Sequence, residues 1–230
     1  MSRLAGISSM ATRLLLNELT GMYEKRSGVS LAFESVGGVD AARRVQAGEA
    51  FDVVVLASDA IDKLIAAGRV VAGSKVDVAR SGVAIAVRAG APRPAVDGEQ
   101  ALRDAVRAAR TVGYSTGPSG VELAKLFERW GIAGEIKDRI VQATPGIPVG
   151  SLVAKGEVEL GFQQLSELLH VEGIEILGPL PPEVQITTTF SAGACVATKN
   201  ADAVRAVLEF MGSPATDEAK RRQGMEPARD

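Results

Sequence analysis

The stretch Phe51-Asp52-Val53-Val54-Val55-Leu56-Ala57-Ser58-Asp59 decides the fold. Residues 51–56 are almost wholly apolar, as a strand is when both faces of its sheet are covered, and the Ser and Asp that follow open a helical pattern over residues 59–67. Upstream, residues 4–7 and 29–33 read as strands, each leading into helical spacing. The first helix covers 12–25, with Leu15, Leu16, Leu19, Met22 and Tyr23 on one face and Ser27-Gly28 as its stop; the second covers 39–47. Apolar strands alternating with helices predict a parallel sheet covered on both sides.

Downstream, residues 82–87 form a further strand, and 88–94 read as a crossover into a second unit that repeats the scheme. There, helices over 98–109, 121–130 and 149–155 alternate with strands over 111–114, 140–141 and 160–162. Beyond Pro182, residues 184–190 and 193–198 read as strands, followed by a helix over 201–211 and a terminal helical piece. With the last segments returning to the first lobe, the chain crosses between lobes twice. The predicted fold class is α/β, with two Rossmann-like lobes, a ligand cleft between them and two crossover strands. The lobes are residues 1–81 plus 191–230, and residues 82–190.

With 230 residues, 46% hydrophobic and 23% charged, the chain has material for a proper core. Its 26 Lys and Arg against 28 Asp and Glu give a net charge of -2 and argue against nucleic acid as a partner. The longest basic block, Lys220-Arg221-Arg222, reads as a solvated helix face or helix C-terminus. One cysteine, Cys195 between Ala194 and Val196, reads as a buried strand thiol; one histidine, His170, sits at a predicted helix end and cannot build a multi-histidine metal site. Neither cofactor nor metal is expected. No stretch of about twenty apolar residues marks a membrane span. The opening Met1-Ser2-Arg3-Leu4 shows no signal peptide, so the placement is periplasmic if a signal was removed and otherwise cytoplasmic.

In open parallel sheets, ligands bind beyond the carboxyl ends of strands, where helix N-termini offer free N–H groups and favour anions. The loops at those places are rich in small hydroxyl residues and glycine: Ser8 and Ser9; Ser35, Val36 and Gly37; Ser58; Ser115, Ser119 and Gly120; Pro148 and Val149; and Gln164. Taken singly, a Ser or Gly before a helix is an ordinary cap or turn former. Five or six such loops on one edge point to a small anionic ligand held by neutral donors. The Gly-Lys-Ser/Thr ending of a phosphate loop and the Gly-x-Gly-x-x-Gly fingerprint are absent. Arg80, next to Ser81, is the candidate charge partner for a carboxylate, whereas Arg43 and Arg44 read as a solvated helix face and Phe127 and Trp130 as core.

The opening Ala5-Gly6-Ile7-Ser8-Ser9, the run from Val45 to Val54 and the run from Gly156 to Glu167 together resemble the molybdate-binding family of ABC-importer solute receptors, over nearly the whole chain. The resemblance implies the type II periplasmic-binding fold, an ABC permease as partner for an exported chain, and oxyanion contacts from a serine after the first strand, here Ser8 or Ser9. A second contact in that family comes from a Gly-Ser-Ser-Gly loop; Val36 stands at that position here, and Gln164 replaces a tyrosine. These departures, with Arg80 and the Tyr114–Gly120 loop, are similar to a divergent branch that includes aconitate-isomerase-like enzymes and shift the expected ligand towards an organic di- or tricarboxylate. Two functions follow. One is a receptor that closes on a small anion. The other is an isomerase acting on a small polycarboxylate, whose base is unknown, with Glu34 and Asp59 as loop carboxylates in reach of the role.

Overall fold

Strand and helix alternate along the computed structural model, which describes residues 3–229; Met1 and Ser2 of the N-terminal segment, and Asp230, lie outside the described residues. The chain runs β1 (Arg3–Ser9), α1 (Arg13–Ser27), β2 (Ser30–Val36), α2 (Gly38–Gln46), β3 (Val53–Ala57), α3 (Ser58–Ala66) and β4 (Val76–Arg88). It continues α4 (Glu99–Ala108), β5 (Val112–Ser115), α5 (Pro118–Arg129), α6 (Ala133–Ile136), β6 (Ile140–Ala143), α7 (Val149–Ala154), β7 (Leu160–Gln164), α8 (Leu165–Leu168) and β8 (Ile174–Pro179). It ends β9 (Thr187–Ala194), α9 (Ala201–Gly212), α10 (Asp217–Arg222) and β10 (Met225–Pro227). No helix among the described residues is long and apolar enough to cross a membrane.

Two compact units result. The first takes the chain up to Ser81 and again from Thr188, the second Gly82–Thr187. In the first unit β1 lies parallel between β2 and β3, and β9 closes antiparallel on β3. Alternation sends successive side chains of β3 to opposite cores. Val53, Val55 and Ala57 pack with Leu15, Leu16 and Leu19 of α1 and Val204, Val207 and Leu208 of α9. Val54 and Leu56 pack with Val45 of α2 and Ile61 and Leu64 of α3. A strand buried on both faces has no polar positions to offer, which is why this stretch reads so apolar. Each such side chain contributes about 1.5–3 kcal/mol by leaving water.

In the second unit the order is β8-β4-β7-β5-β6, with β5 parallel to β6 and β7 and the β4 pairings antiparallel. Val83, Ile85 and Val87 face one core with Leu102, Leu123, Phe127 and Phe162, while Ala84 and Ala86 face Leu168. Phe127 and Trp130 are core residues, with ring centroids 5.9 Å apart.

Four expectations change. The sheets are mixed rather than parallel, because β4 and β9 run against their neighbours. Residues 88–94 are no crossover: β4 carries the chain across in mid-strand, and the segment after it is a turn closed by the Ala91 N–H on the Arg88 carbonyl at 3.0 Å. The two late strands are one, β9, because Pro181 and Pro182 fold the preceding residues into a 3-10 turn and the strand ends at Ala194. Lys220 is not solvated. Arg221 and Arg222 are exposed, but Lys220 is fully buried, its ammonium donating to the Met211 carbonyl at 2.9 Å at the end of α9. Burial pulls its pKa down to about 8, against the opposing pull of Asp217.

Candidate functional site

In the first unit, the parallel register sets Ser8 of β1 beside Ser35 of β2 and Ser9 beside Val36. The hydroxyls of Ser8 and Ser35 lie 2.8 Å apart, and Ser8 Oγ also reaches the Ser9 carbonyl at 3.0 Å. A hydroxyl has one proton. While Ser8 gives its proton to the Ser9 carbonyl, Ser35 is the donor of the pair; rotation of the Ser8 proton onto Ser35 frees the Ser35 proton for an incoming oxyanion. Ser9 is buried, and its Oγ has no hydrogen-bond partner. A buried unpaired hydroxyl costs about 1–3 kcal/mol. Gly38, the first residue of α2, lies against Ser9: a Cβ there would be 3.6 Å from Ser9 Cβ.

None of the serines of these loops caps a helix through its side chain; Ser9 precedes the 3-10 turn Met10–Thr12 without a cap bond. The N-cap residues of α2, α3 and α5 are Gly37, Ala57 and Gly117, which have no side-chain acceptor, and none of the three helices has a side-chain cap. Ser58 and Ser119 stand inside the first turns of α3 and α5. Three helices therefore begin at strand carboxyl ends with first-turn N–H groups that no side chain satisfies.

In the second unit, Ser115 Oγ accepts the Gly117 N–H at 3.3 Å, and Ser119 is buried beside it. Gly120 is obligatory, since a Cβ would come within 1.7 Å of the Ser115 carbonyl oxygen. At α7 the situation differs: the Val149 N–H is taken by Gln163 Oε1 at 3.1 Å, and Pro148 before it is exposed. Gln164, the last residue of β7, is buried opposite Val83. Sequence reasoning singles out Gln164, which replaces a tyrosine of the resembling family; in a strand, neighbours face opposite ways, and the fold shows that Gln163 is the one that reaches α7.

Arg80 lies in β4 opposite Glu226, half-buried, and its Nη2 donates to the Ala228 carbonyl at 3.1 Å. Ser81, its neighbour, is buried with Oγ unpartnered. Arg44 is no idle surface charge. Its guanidinium grips Glu34 (2.6 and 3.1 Å) and Glu49 (2.6 and 2.7 Å) and lies 5.2 Å over the Phe51 ring. The hydrogen bonds from Arg44 hold the Glu34 carboxyl below its usual range, which makes it a poorer proton acceptor. Arg43 pairs with Asp40 on the exposed face. Asp59 is exposed in α3, and His170 is exposed two residues beyond α8. Cys195 is buried, and burial, with Asp52 nearby, pushes its thiol up to about 12, far from a nucleophile.

A cavity of about 170 Å³ in the first unit is lined by Val45, Gly48, Arg69 and Cys195, at the far end of α2 from Gly37. A second, of about 290 Å³ in the second unit, is lined by Glu122, Arg129 and the 183–187 segment. Neither contains a candidate loop residue.

Known proteins give the arrangement a setting. The chain is 36% identical over 233 residues to an aconitate isomerase from a Pseudomonas species, spanning 99% of this chain and 88% of that protein. Among solved structures, the periplasmic molybdate-binding protein of Azotobacter vinelandii superposes with a TM-score of 0.80 at 19% identity, over 97% of this chain and 98% of that one. The sulfate-binding protein SubI of Mycobacterium tuberculosis superposes with a TM-score of 0.81 at 15% identity, over 99% and 88%. At such identities these two share the periplasmic-binding fold with this chain. The profile of the bacterial extracellular solute-binding proteins matches residues 4–226, and the chain belongs to that family.

Proposed function

We propose that the chain is a binding protein for a small organic di- or tricarboxylate, taken up by the hydroxyl-bearing loops of the first unit and the 115–120 and 148–149 loops with Gln164 of the second. The observation that carries this reading is the set of helix starts α2, α3 and α5, each at a strand carboxyl end and each without a side-chain cap. Uncapped first turns and the Ser8–Ser35 pair offer neutral, directional donors, which suits carboxylate oxygens. Val36, an apolar side chain at the end of β2, stands where a tetrahedral oxyanion would use a hydroxyl donor and offers an apolar contact suited to a carbon skeleton. Arg80 and the Ser81 hydroxyl complete the candidate set. A periplasmic location and delivery to an ABC permease fit the family, and both belong to this proposal.

The test is a melting-temperature screen over sulfate, molybdate, citrate, cis-aconitate and trans-aconitate. Any ligand held only by the folded chain raises the midpoint, by about 2.7 kcal/mol of stability at a hundred times its Kd. A shift for the carboxylates and none for the inorganic oxyanions is expected; the reverse order, or no shift at all, rejects the reading.

The 36% identity to an aconitate isomerase favours a second reading, in which the same site runs a proton shift. A base takes a proton from the saturated carbon beside a carboxylate, the double bond moves by one position, and the proton returns at the far carbon. Glu34, its basicity lowered by the hydrogen bonds from Arg44, is ill suited to take that proton, and the Ser8–Ser35 hydroxyl pair, which has no base beside it to receive a proton, suits holding a substrate carboxylate rather than proton abstraction. Proton NMR of cis-aconitate with the protein decides: appearance of trans-aconitate supports catalysis, and a flat time course leaves binding alone.

A further inference from the structure

At the end of α2 remote from the candidate loops, one arginine of the first unit stands without a partner. Arg69 follows α3 and is half-buried, and its guanidinium makes neither a hydrogen bond nor an ion pair among the described residues. It does not close a helix end. At the end of α2 the carbonyls of Arg43, Arg44 and Val45 accept the backbone N–H groups of Ala47, Glu49 and Gly48, and at the end of α3 those of Lys63, Leu64 and Ile65 accept Ala67, Arg69 and Gly68. Gly48 turns the chain with φ +82°, and a Cβ on it would stand 3.4 Å from Arg69 Nη1. In a short antiparallel ladder Val70 faces Cys195, and the Val196 N–H donates to the Arg69 carbonyl at 3.0 Å. The side chain opposite Arg69 is therefore Val196, which is 48% exposed. Arg69, Gly48, Val45, Val196 and Ala197 line the cavity of about 170 Å³. The acid that borders it, Glu49, has both oxygens bonded to Arg44. A guanidinium with its donors uncommitted thus faces aliphatic carbon and an acid that is already neutralised.

We propose that this cavity is a second binding site, separate from the candidate loops, for a short aliphatic monocarboxylate. The carboxylate takes the paired N–H groups of Arg69, and the carbon chain lies along Val45, Val196 and Ala197. The volume suits a ligand of about five to eight non-hydrogen atoms. A second carboxylate on the same molecule would meet Glu49 or aliphatic carbon without a donor, so the cavity favours a single charge. This site stands or falls independently of polycarboxylate binding at the loops.

The experiment is a titration of the full-length, nitrogen-15-labelled chain with sodium butyrate at constant ionic strength, followed by amide chemical shifts. Saturating shifts are expected at Gly48, Glu49, Arg69, Val196 and Ala197, with a Kd of about 1 mM. Butan-1-ol, which has the chain but cannot pair with the guanidinium, should bind at least about tenfold more weakly. Arg69→Ala should fold, since the bonds that Arg69 makes are those of its backbone, and should weaken butyrate at least about tenfold. Val196→Asp sets a carboxylate across the ladder from Arg69 and should block butyrate by occupying the guanidinium from within the chain. No saturating shift at these five amides up to about 50 mM butyrate, an unchanged Kd in Arg69→Ala, or equal affinity for butan-1-ol overturns the proposal. Shifts confined to residues 35–40 or 115–120 overturn it too, because they place butyrate at the candidate loops instead.

Discussion

Gly120 shows how a single residue can combine fold and site. The start of α5 presses so closely on the end of β5 that a methyl group would occupy the space of the Ser115 carbonyl oxygen. That closeness also sets Ser119 and the first-turn N–H groups of α5 beside the strand end. Gly120→Ala should cost about 3 kcal/mol, since backbone rather than a flexible side chain must move. Measured by urea unfolding, a loss under about 0.5 kcal/mol would mean that the helix start shifts freely. The neighbouring residues differ in how far they could be read. Ser8, Ser35 and Ser119 are recognisable from their loops, because small hydroxyls gather at strand ends and helix starts there. That Ser8 and Ser35 share a hydrogen bond is a matter of register, which no local pattern gives.

At the scale of elements, the β-α alternation is readable wherever a strand is buried on both faces, as β3 is, or a helix shows one apolar face, as α1 does. β8 and β10 escape because they pair on one edge only: β8 is half-buried along most of its length, and only Met225 of β10 enters the core. α10 misleads for another reason. Its basic run belongs to the closure of α9, whose last carbonyls are met by Lys220 and Thr216 on Met211 and by Arg229 on Gly212. Arg229 also pairs with Asp217, so the end of the chain is held on both sides of the buried ammonium. A pH dependence follows. The folded chain releases the Lys220 proton near pH 8 and the unfolded chain near 10.5, so between them the unfolded state binds more protons and stability rises with pH. Below about 8 both states are protonated, and the penalty of burying the charge is present in full. Urea midpoints of the parent should therefore climb relative to those of Lys220→Met as pH passes through this window. A constant difference would show that the ammonium keeps its ordinary pKa in the fold.

For the whole molecule, each unit is built alike, with a sheet between two cores and helix starts along one edge, yet each draws on distant sequence. The first unit needs the chain from Thr188 onward to complete its sheet with β9 and its core with α9. A ligand engaging loops of both units should protect amides in both, and amide hydrogen exchange with trans-aconitate measures this directly. Slower exchange is expected at residues 37–40 and at 119–121 together. Protection confined to one segment would reduce the site to a single unit.

The continuous strand β4 has a further consequence, for how this gene can vary. Ala79 belongs to the core of the first unit, whereas Val83, Ile85 and Val87 belong to the large core of the second and Ala84 and Ala86 to its small one. One codon inserted between Ser81 and Val83 would exchange these faces, forcing valine and isoleucine against Leu168 and leaving alanines opposite Phe127 and Phe162. Residues added to the turn after Arg88 should cost little, whereas along β4 packing admits substitution but not insertion, so that the two cores set the spacing from Arg80 to Val83.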